Sequence, residues 1–213
     1  MKAMLSLLCL GACTSLAAAS TIRSPASVLS NSAGEFGADA SITATIDQSG
    51  LLTGFVNGVT DFDAYIGGGP LHSLAYAFQE WFSPGGGETF SSIVYDMGAA
   101  YTLDRVAYWN EDAGGVSSVS ITTSLDGSFG DAIGGGTFSP TDWPGSVDYG
   151  ADVHAFAARG ARYVRVDVSG IPGSSIWPGL SMGEIAFSSN PIPAPGTAGL
   201  LGLAGLVGLR RRR

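Results

Sequence analysis

The sequence predicts an all-β fold, a sandwich or barrel of short strands, and three observations carry that expectation. Apolar and polar residues alternate with a period of two in several short segments. Glycine-rich clusters such as "GGGP", "SPGGGE", "EDAGG", "LDGS" and "IGGG" separate those segments, in a chain with 32 glycines and only 13% charged residues. No segment repeats apolar residues at i, i+3, i+4 and i+7, and lysine is nearly absent, which argues against a helical bundle.

Taken in chain order, "SITATI" (41–46), "ETFSSIVYD" (88–96) and "LDRVAYW" (103–109) read as strands. "SVSITTS" (118–124) places Val119 and Ile121 on one face against Ser and Thr on the other. "RYVRVDV" (162–168) sets Val164, Val166 and Val168 opposite Tyr163, Arg165 and Asp167, and "GEIAFS" (183–188) closes the series. Many short strands with glycine-rich turns define the sandwich class.

The flanks read as addresses. Lys2, the apolar "AMLSLLCLGA" and the small-residue "AAAS" predict a secretory signal peptide over residues 1–19, too short to span a bilayer. Both cysteines, Cys9 and Cys13, fall within it, so the exported body has no thiol; "LGAC" also admits a lipoprotein reading with Cys13 lipidated. At the other end, residues 190–213 combine Pro193-Ala194-Pro195, an uncharged Gly/Leu run and Arg210, Arg211, Arg212 and Arg213. The 18 residues from Ile192 to Leu209, broken by prolines, are short of the ~20 of an ordinary spanning helix. The arginines suit the cytoplasmic side of a membrane.

That tripartite tail resembles the PEP-CTERM sorting signal, with Ala194 in place of the usual Glu. The resemblance implies recognition by an exosortase-type enzyme, transient anchoring by a short hydrophobic helix, and delivery to the cell surface or extracellular matrix. A simple tail anchor is the other reading of the same residues.

Without its flanks the body keeps five arginines against eighteen acids, a net charge of about −13. A surface that acidic repels phosphate backbones and excludes nucleic acid as a natural partner.

Within the body (20–189), "IVYDMGAAYTLDRVAYWN" (93–110), "VSITTSLDGSF" (119–129), "ARGARYVRVDVSG" (158–170) and "MGEIAF" (182–187) occur in the order found in discoidin-type (F5/8 type C) domains. "GFVNGVTDFDAYIG" (54–67) stands where that family has its Asp-Gly loop. The resemblance covers residues 36–188 and implies an eight-stranded, galactose-binding-like jelly-roll sandwich.

Catalytic motifs are missing from the sequence: His72 and His154 have no zinc spacing with carboxylates, and neither H-E-x-x-H nor G-x-S-x-G occurs. The body is therefore expected not to be an enzyme, although 18 acids leave a hydrolase pair conceivable. Hard cations take carboxylate and carbonyl oxygens gathered by a turn, and "NGVTDFD" offers Asn57, Thr60, Asp61 and Asp63. The family resemblance adds Glu184 and implies one structural Ca2+; a hydrogen-bonded turn with solvated acids fits the same residues. For ligand binding, two loops carry "WPG", at Trp143 and Trp177, and an aromatic fixed beside proline suits stacking on a sugar. Asp142 and Arg159 are candidate polar contacts, while the two tryptophans also suit simple coverage of the sandwich end. Trp81 and Trp109 sit in strand-like runs and read as core or shell. The function expected is an exported binder of carbohydrate or exopolysaccharide, the alternative being a structural matrix protein with no specific glycan.

Overall fold

The structure, a computed structural model, describes residues 19–192. Residues 1–18 of the expected signal peptide and the expected sorting motif from Pro193 onward lie outside the described residues. Ten strands and one short α-helix follow in order, with two 3-10 helices (Ala38–Ala40 and Ile42–Ile46) between the second strand and the helix: β1 (Thr21–Arg23), β2 (Ser27–Asn31), α1 (Phe62–Gly67), β3 (Leu71–His72), β4 (Trp81–Phe82), β5 (Phe90–Trp109), β6 (Ser118–Ser124), β7 (Ile133–Phe138), β8 (Tyr149–Ser169), β9 (Ser181–Met182) and β10 (Ile185–Pro191).

Two long strands generate both layers of a jelly-roll sandwich. β5 and β8 pair antiparallel from Phe90↔Ser169 to Trp109↔Ala151, with a register shift between Asp96 and Tyr101. Gly98 sits in that shift at φ +80°, a conformation that side-chain-bearing residues rarely adopt. On one side of it β5 pairs with β2, and β8 with β6; on the other β5 pairs with β10, which carries β1. The two halves close on each other because each presents an apolar face that must leave water. Ile93, Tyr95, Val164, Val166 and Val168 from one layer meet Leu103, Val106, Tyr108, Ile185 and Phe187 from the other in one buried core. Trp81 and Trp109 are fully buried, and each indole N–H donates to a backbone carbonyl, of Gly34 at 2.9 Å and of Pro70 at 3.2 Å.

This folding back brings both ends of β5 to one pole. Asn110 leaves β5 at Trp109, and seven residues later Ser117 N donates to Ser169 O (3.1 Å), the partner of Phe90 at the strand's other end. Loops 32–49, 73–89, 110–117, 139–148 and 170–180 gather there. The bends at Gly98 and Gly160 lie at the opposite pole, where Ile192 also leaves the sheet, 3.2 Å from the place a Gly160 Cβ would occupy.

Two expectations need correction. "SITATI" forms a 3-10 helix over Ile42–Ile46, not a strand. Glu35 Oε1 accepts from Ile42 N (2.9 Å) and from the Ser41 hydroxyl (3.0 Å), and Thr45 Oγ1 turns back to Ile42 O (2.7 Å). Those local bonds satisfy the backbone without a neighbouring strand. The segments read as separate strands at 88–96 and 103–109 are one bent strand, because the glycine between them turns the chain while the pairing with β8 resumes beyond it.

Candidate ligand groove and the buried carboxylates beside it

Trp177 is held by a bed of glycines. A Cβ on Gly85 would stand 2.8 Å from its Cζ2, and one on Gly114 would stand 3.2 Å from its Cβ, so the "GGG" and "GG" turns make room for the indole. Phe36 and Phe82 meet the ring edge-on at centroid distances of 4.8 and 5.3 Å. Phe36 is brought there by Phe36 N donating to Phe82 O (2.9 Å), and Phe82 by β4 pairing with β9. With Tyr76, Asp39 and a floor of Ala40, Ala75 and Ala77, these side chains line an open, mainly apolar groove of about 270 Å³. Tyr76 (69% exposed) and Phe36 (58%) offer ring surface to solvent, and Asp39 is exposed beside them. The volume lies at the small end of ligand pockets, ~300–1,000 Å³, and suits one sugar unit better than a long buried chain.

The candidate ligand residues are not all brought together. Trp177 lines the groove, but Trp143 packs instead beside the cluster of Phe55, Tyr65, Trp109 and Tyr149 under the other layer. Asp142 faces Ser174, taking its hydroxyl and its backbone N–H (3.4 Å), while the same hydroxyl donates to Trp143 O at 2.9 Å. Asp142 thus ties one WPG loop to the other. Arg159 lies at the bend pole, donating to Gly134 O (2.7 Å) and Ala157 O (3.0 Å), and does not face the groove. The aromatic partners Phe36, Tyr76 and Phe82 escaped sequence reasoning because nothing local joins positions 36, 76, 82 and 177.

The candidate calcium ligands disperse as well. Asp61 caps α1, accepting from Ala64 N at 2.7 Å, and exposed Asp63 pairs with Arg105. Thr60 Oγ1 accepts from Val56 N (2.9 Å). Only Asn57 and Glu184 share a neighbour: Ser24 donates its N–H to Asn57 Oδ1 (3.1 Å) and its hydroxyl to Glu184 Oε1 (3.5 Å). Glu184 Oε2 accepts from Gln48 N (3.0 Å), and burial raises its carboxyl well above the usual range. Calcium requires six to eight oxygens around one point, and this set does not fit that requirement.

A second group of acids, unsuspected from the sequence, lies buried between the loops. Glu80, Glu111 and Asp112 are at most 1% exposed and offer oxygens within 4.8 Å of one another, an arrangement that could hold a metal ion. Each oxygen also accepts a hydrogen bond. Glu80 takes Tyr149 OH (3.0 Å) and Tyr76 N (2.8 Å); Glu111 takes Ala113 N (2.8 Å), Gly114 N (2.7 Å) and the Ser181 hydroxyl (2.8 Å); Asp112 takes Ala75 N (2.9 Å) and Val147 N (3.0 Å). Three carboxylates therefore staple loops 73–80, 110–117 and 145–149 beneath the groove. Burial pushes Glu80 up to about 7 and raises Glu111 too, outweighing those donors. His72 stacks on Tyr149 with Nδ1 3.5 Å from Glu80 Oε1, and burial lowers its affinity for a proton. The signal for this group was the pair "ED" opening a Gly-Gly turn, but nothing local shows that it is buried.

No protein-family model matches the chain, and no curated protein matches it. Solved structures do. CBM32-3, from a family 31 glycoside hydrolase of Clostridium perfringens, superposes with a TM-score of 0.51 at 15% identity over 80% of this chain and 92% of that one. The C-terminal domain of a chitobiase from Bacteroides fragilis gives 0.52 at 15% identity, over 78% and 95%. At such identity the likeness establishes the fold, the galactose-binding-like jelly roll expected from the sequence, and leaves the ligand to this chain's own residues.

Proposed function

We propose that the chain is an exported, non-catalytic carbohydrate-binding module whose ligand site is the groove around Trp177. The observation that carries this reading is an aromatic wall of Trp177, Phe36, Phe82 and exposed Tyr76 with one exposed carboxylate, Asp39, the pairing of apolar ring face and polar edge that a sugar presents. The fold likeness to carbohydrate-binding modules supports the same class. Ca2+ has no assigned part in it.

The signal peptide and the PEP-CTERM-like tail complete the proposal: an exosortase-type enzyme sorts the protein to the cell surface or matrix, with the membrane as a transient partner. Ile192 leaves the domain at the bend pole, so a body held by its tail would present the groove outward. Among the described residues no helix is long and apolar enough to cross a membrane, and the proposed span lies beyond them.

Binding of the purified protein to an array of oligosaccharides, beside Trp177→Ala, tests the reading. Retention by the native protein and at least a tenfold loss in the folded variant are expected, because an aromatic platform carries ~1.4 kcal/mol or more of such a contact. A blank from folded native protein would leave the aromatic cluster as packing and favour a structural matrix role.

A further inference from the structure

We infer that the groove selects amino sugars in their protonated form, glucosamine-type units, over uncharged sugars, and rejects uronates. The inference rests on the proposed glycan-binding role and names its substrate class. What points to it is a segregation of charge between the loop pole and the strands.

The loops at the groove's pole hold half of the chain's 18 acidic residues and no arginine or lysine. Glu35, Asp39 and Asp47 lie in the first loop, Glu80 and Glu88 in the second, Glu111 and Asp112 in the third, Asp142 and Asp148 in the fourth. Glu35, Asp39, Asp142 and Asp148 are exposed, and Asp39 is in the groove wall itself. The five arginines of the described residues are all on strands and engaged there. Arg23 covers the Tyr101 ring at 4.1 Å, Arg105 meets Asp63, and Arg159 donates to Gly134 O. Arg162 forms two 3.0 Å bonds to Asp96, and Arg165 lies 3.4 Å from Asp167.

Recognition of a uronate calls for a cation, best a guanidinium fork, at the site. None is present at this pole among the described residues, and the surrounding carboxylates repel an anion. An ammonium on the sugar ring instead finds Asp39 beside the aromatic wall, where ring faces also attract cations. The other exposed acids of the pole, Glu35, Asp47, Asp142 and Asp148, add a long-range field that raises the local concentration of a cationic oligosaccharide and is weakened by salt.

Three oligosaccharides of equal length, made of glucosamine, N-acetylglucosamine and mannuronate units, form the test, titrated into the purified protein at mildly acidic pH where the amine is protonated. At about 0.01 M salt the glucosamine oligomer should bind at least tenfold tighter than the N-acetylated one, and the ratio should shrink at about 1 M salt, where the Debye length falls to ~3 Å. Asp39→Asn should lower that ratio, and Trp177→Ala should weaken both ligands together. Equal binding of the first two oligomers at low salt, or preference for the mannuronate, overturns the inference while leaving glycan binding intact. Failure of all three with native protein removes the proposed function and this inference with it.

Discussion

Gly85 is pressed against the indole of Trp177: a Cβ on the glycine would lie 2.8 Å from Cζ2, and its φ of +80° is one that a side chain disfavours. Sequence, local backbone and groove meet at this contact. Gly85→Ala should therefore cost roughly 1 kcal/mol or more in stability from the backbone alone and shift the ring out of place. Thermal unfolding and glycan titration of the same sample check it. A folded variant with native glycan affinity would show that the ring's seat does not matter to binding.

The staple beneath the groove makes stability depend on pH in a defined direction. Glu80 has an ordinary value of 4.5 and is pushed up to about 7 by burial, so the folded state holds its proton more tightly than the unfolded chain. That contribution is fully present below the ordinary value and is lost as pH rises through about 7, on the order of 3 kcal/mol if nothing compensates. Tyr149, Tyr76, His72, Asp112 and Glu111 are the groups that face it. The melting temperature should fall between pH about 5 and about 8.

Glu80→Gln should flatten that slope. Its amide can still accept from Tyr76 N and can donate to the Tyr149 oxygen, keeping both hydrogen bonds without a charge to bury. Melting curves across the same pH range compare the two proteins. An unchanged slope would place the titration in Glu111 or Glu184, whose carboxyls burial also raises.

Asp61 acts as a helix cap, with Oδ1 2.7 Å from Ala64 N. Asp61→Ala should cost about 1 kcal/mol, the usual loss of an N-cap, and the loss should be the same in calcium and in chelator. A calcium-dependent difference between native and variant melting temperatures would return Asp61 to a metal site.

The bend is held by Asp96, which accepts two bonds from Arg162 and one from Gly98 N at 2.8 Å. Arg162 keeps its carboxyl below the usual range, so this contribution is present at neutral pH and disappears as acid protonates Asp96. Arg162→Ala should lower stability slightly at neutral pH, since the pair is partly exposed and screened by solvent, and the loss should vanish in strong acid. Denaturant melts at both pH values check this.

Much of the sandwich was legible in the sequence because alternation is local. Val164, Val166 and Val168 are fully buried, as their spacing foretold, and Trp81 and Trp109 are core. "SITATI" misled for a physical reason: alternation describes which side chains avoid water, and Glu35 supplied its backbone with a local partner in place of a strand. The WPG motif announced Trp177 as an aromatic fixed in a loop, yet Trp143 carries the same tripeptide and is drawn beneath the other layer.

Local chemistry alone determined most of the strands, the turns and the acidity, since each depends on residue type and near spacing. Tertiary structure alone decided which pole a residue occupies and which carboxylates lose their water. Arg159 and Trp177 are only 18 positions apart and end at opposite poles because β8, past its bend at Gly160, runs the length of the sandwich to Ser169 before the loop that carries Trp177. Asp39 remains exposed in the groove while Glu111 is buried beside Glu80. Burial depends on what the chain brings from elsewhere, and a carboxylate's own neighbours in sequence carry no record of it.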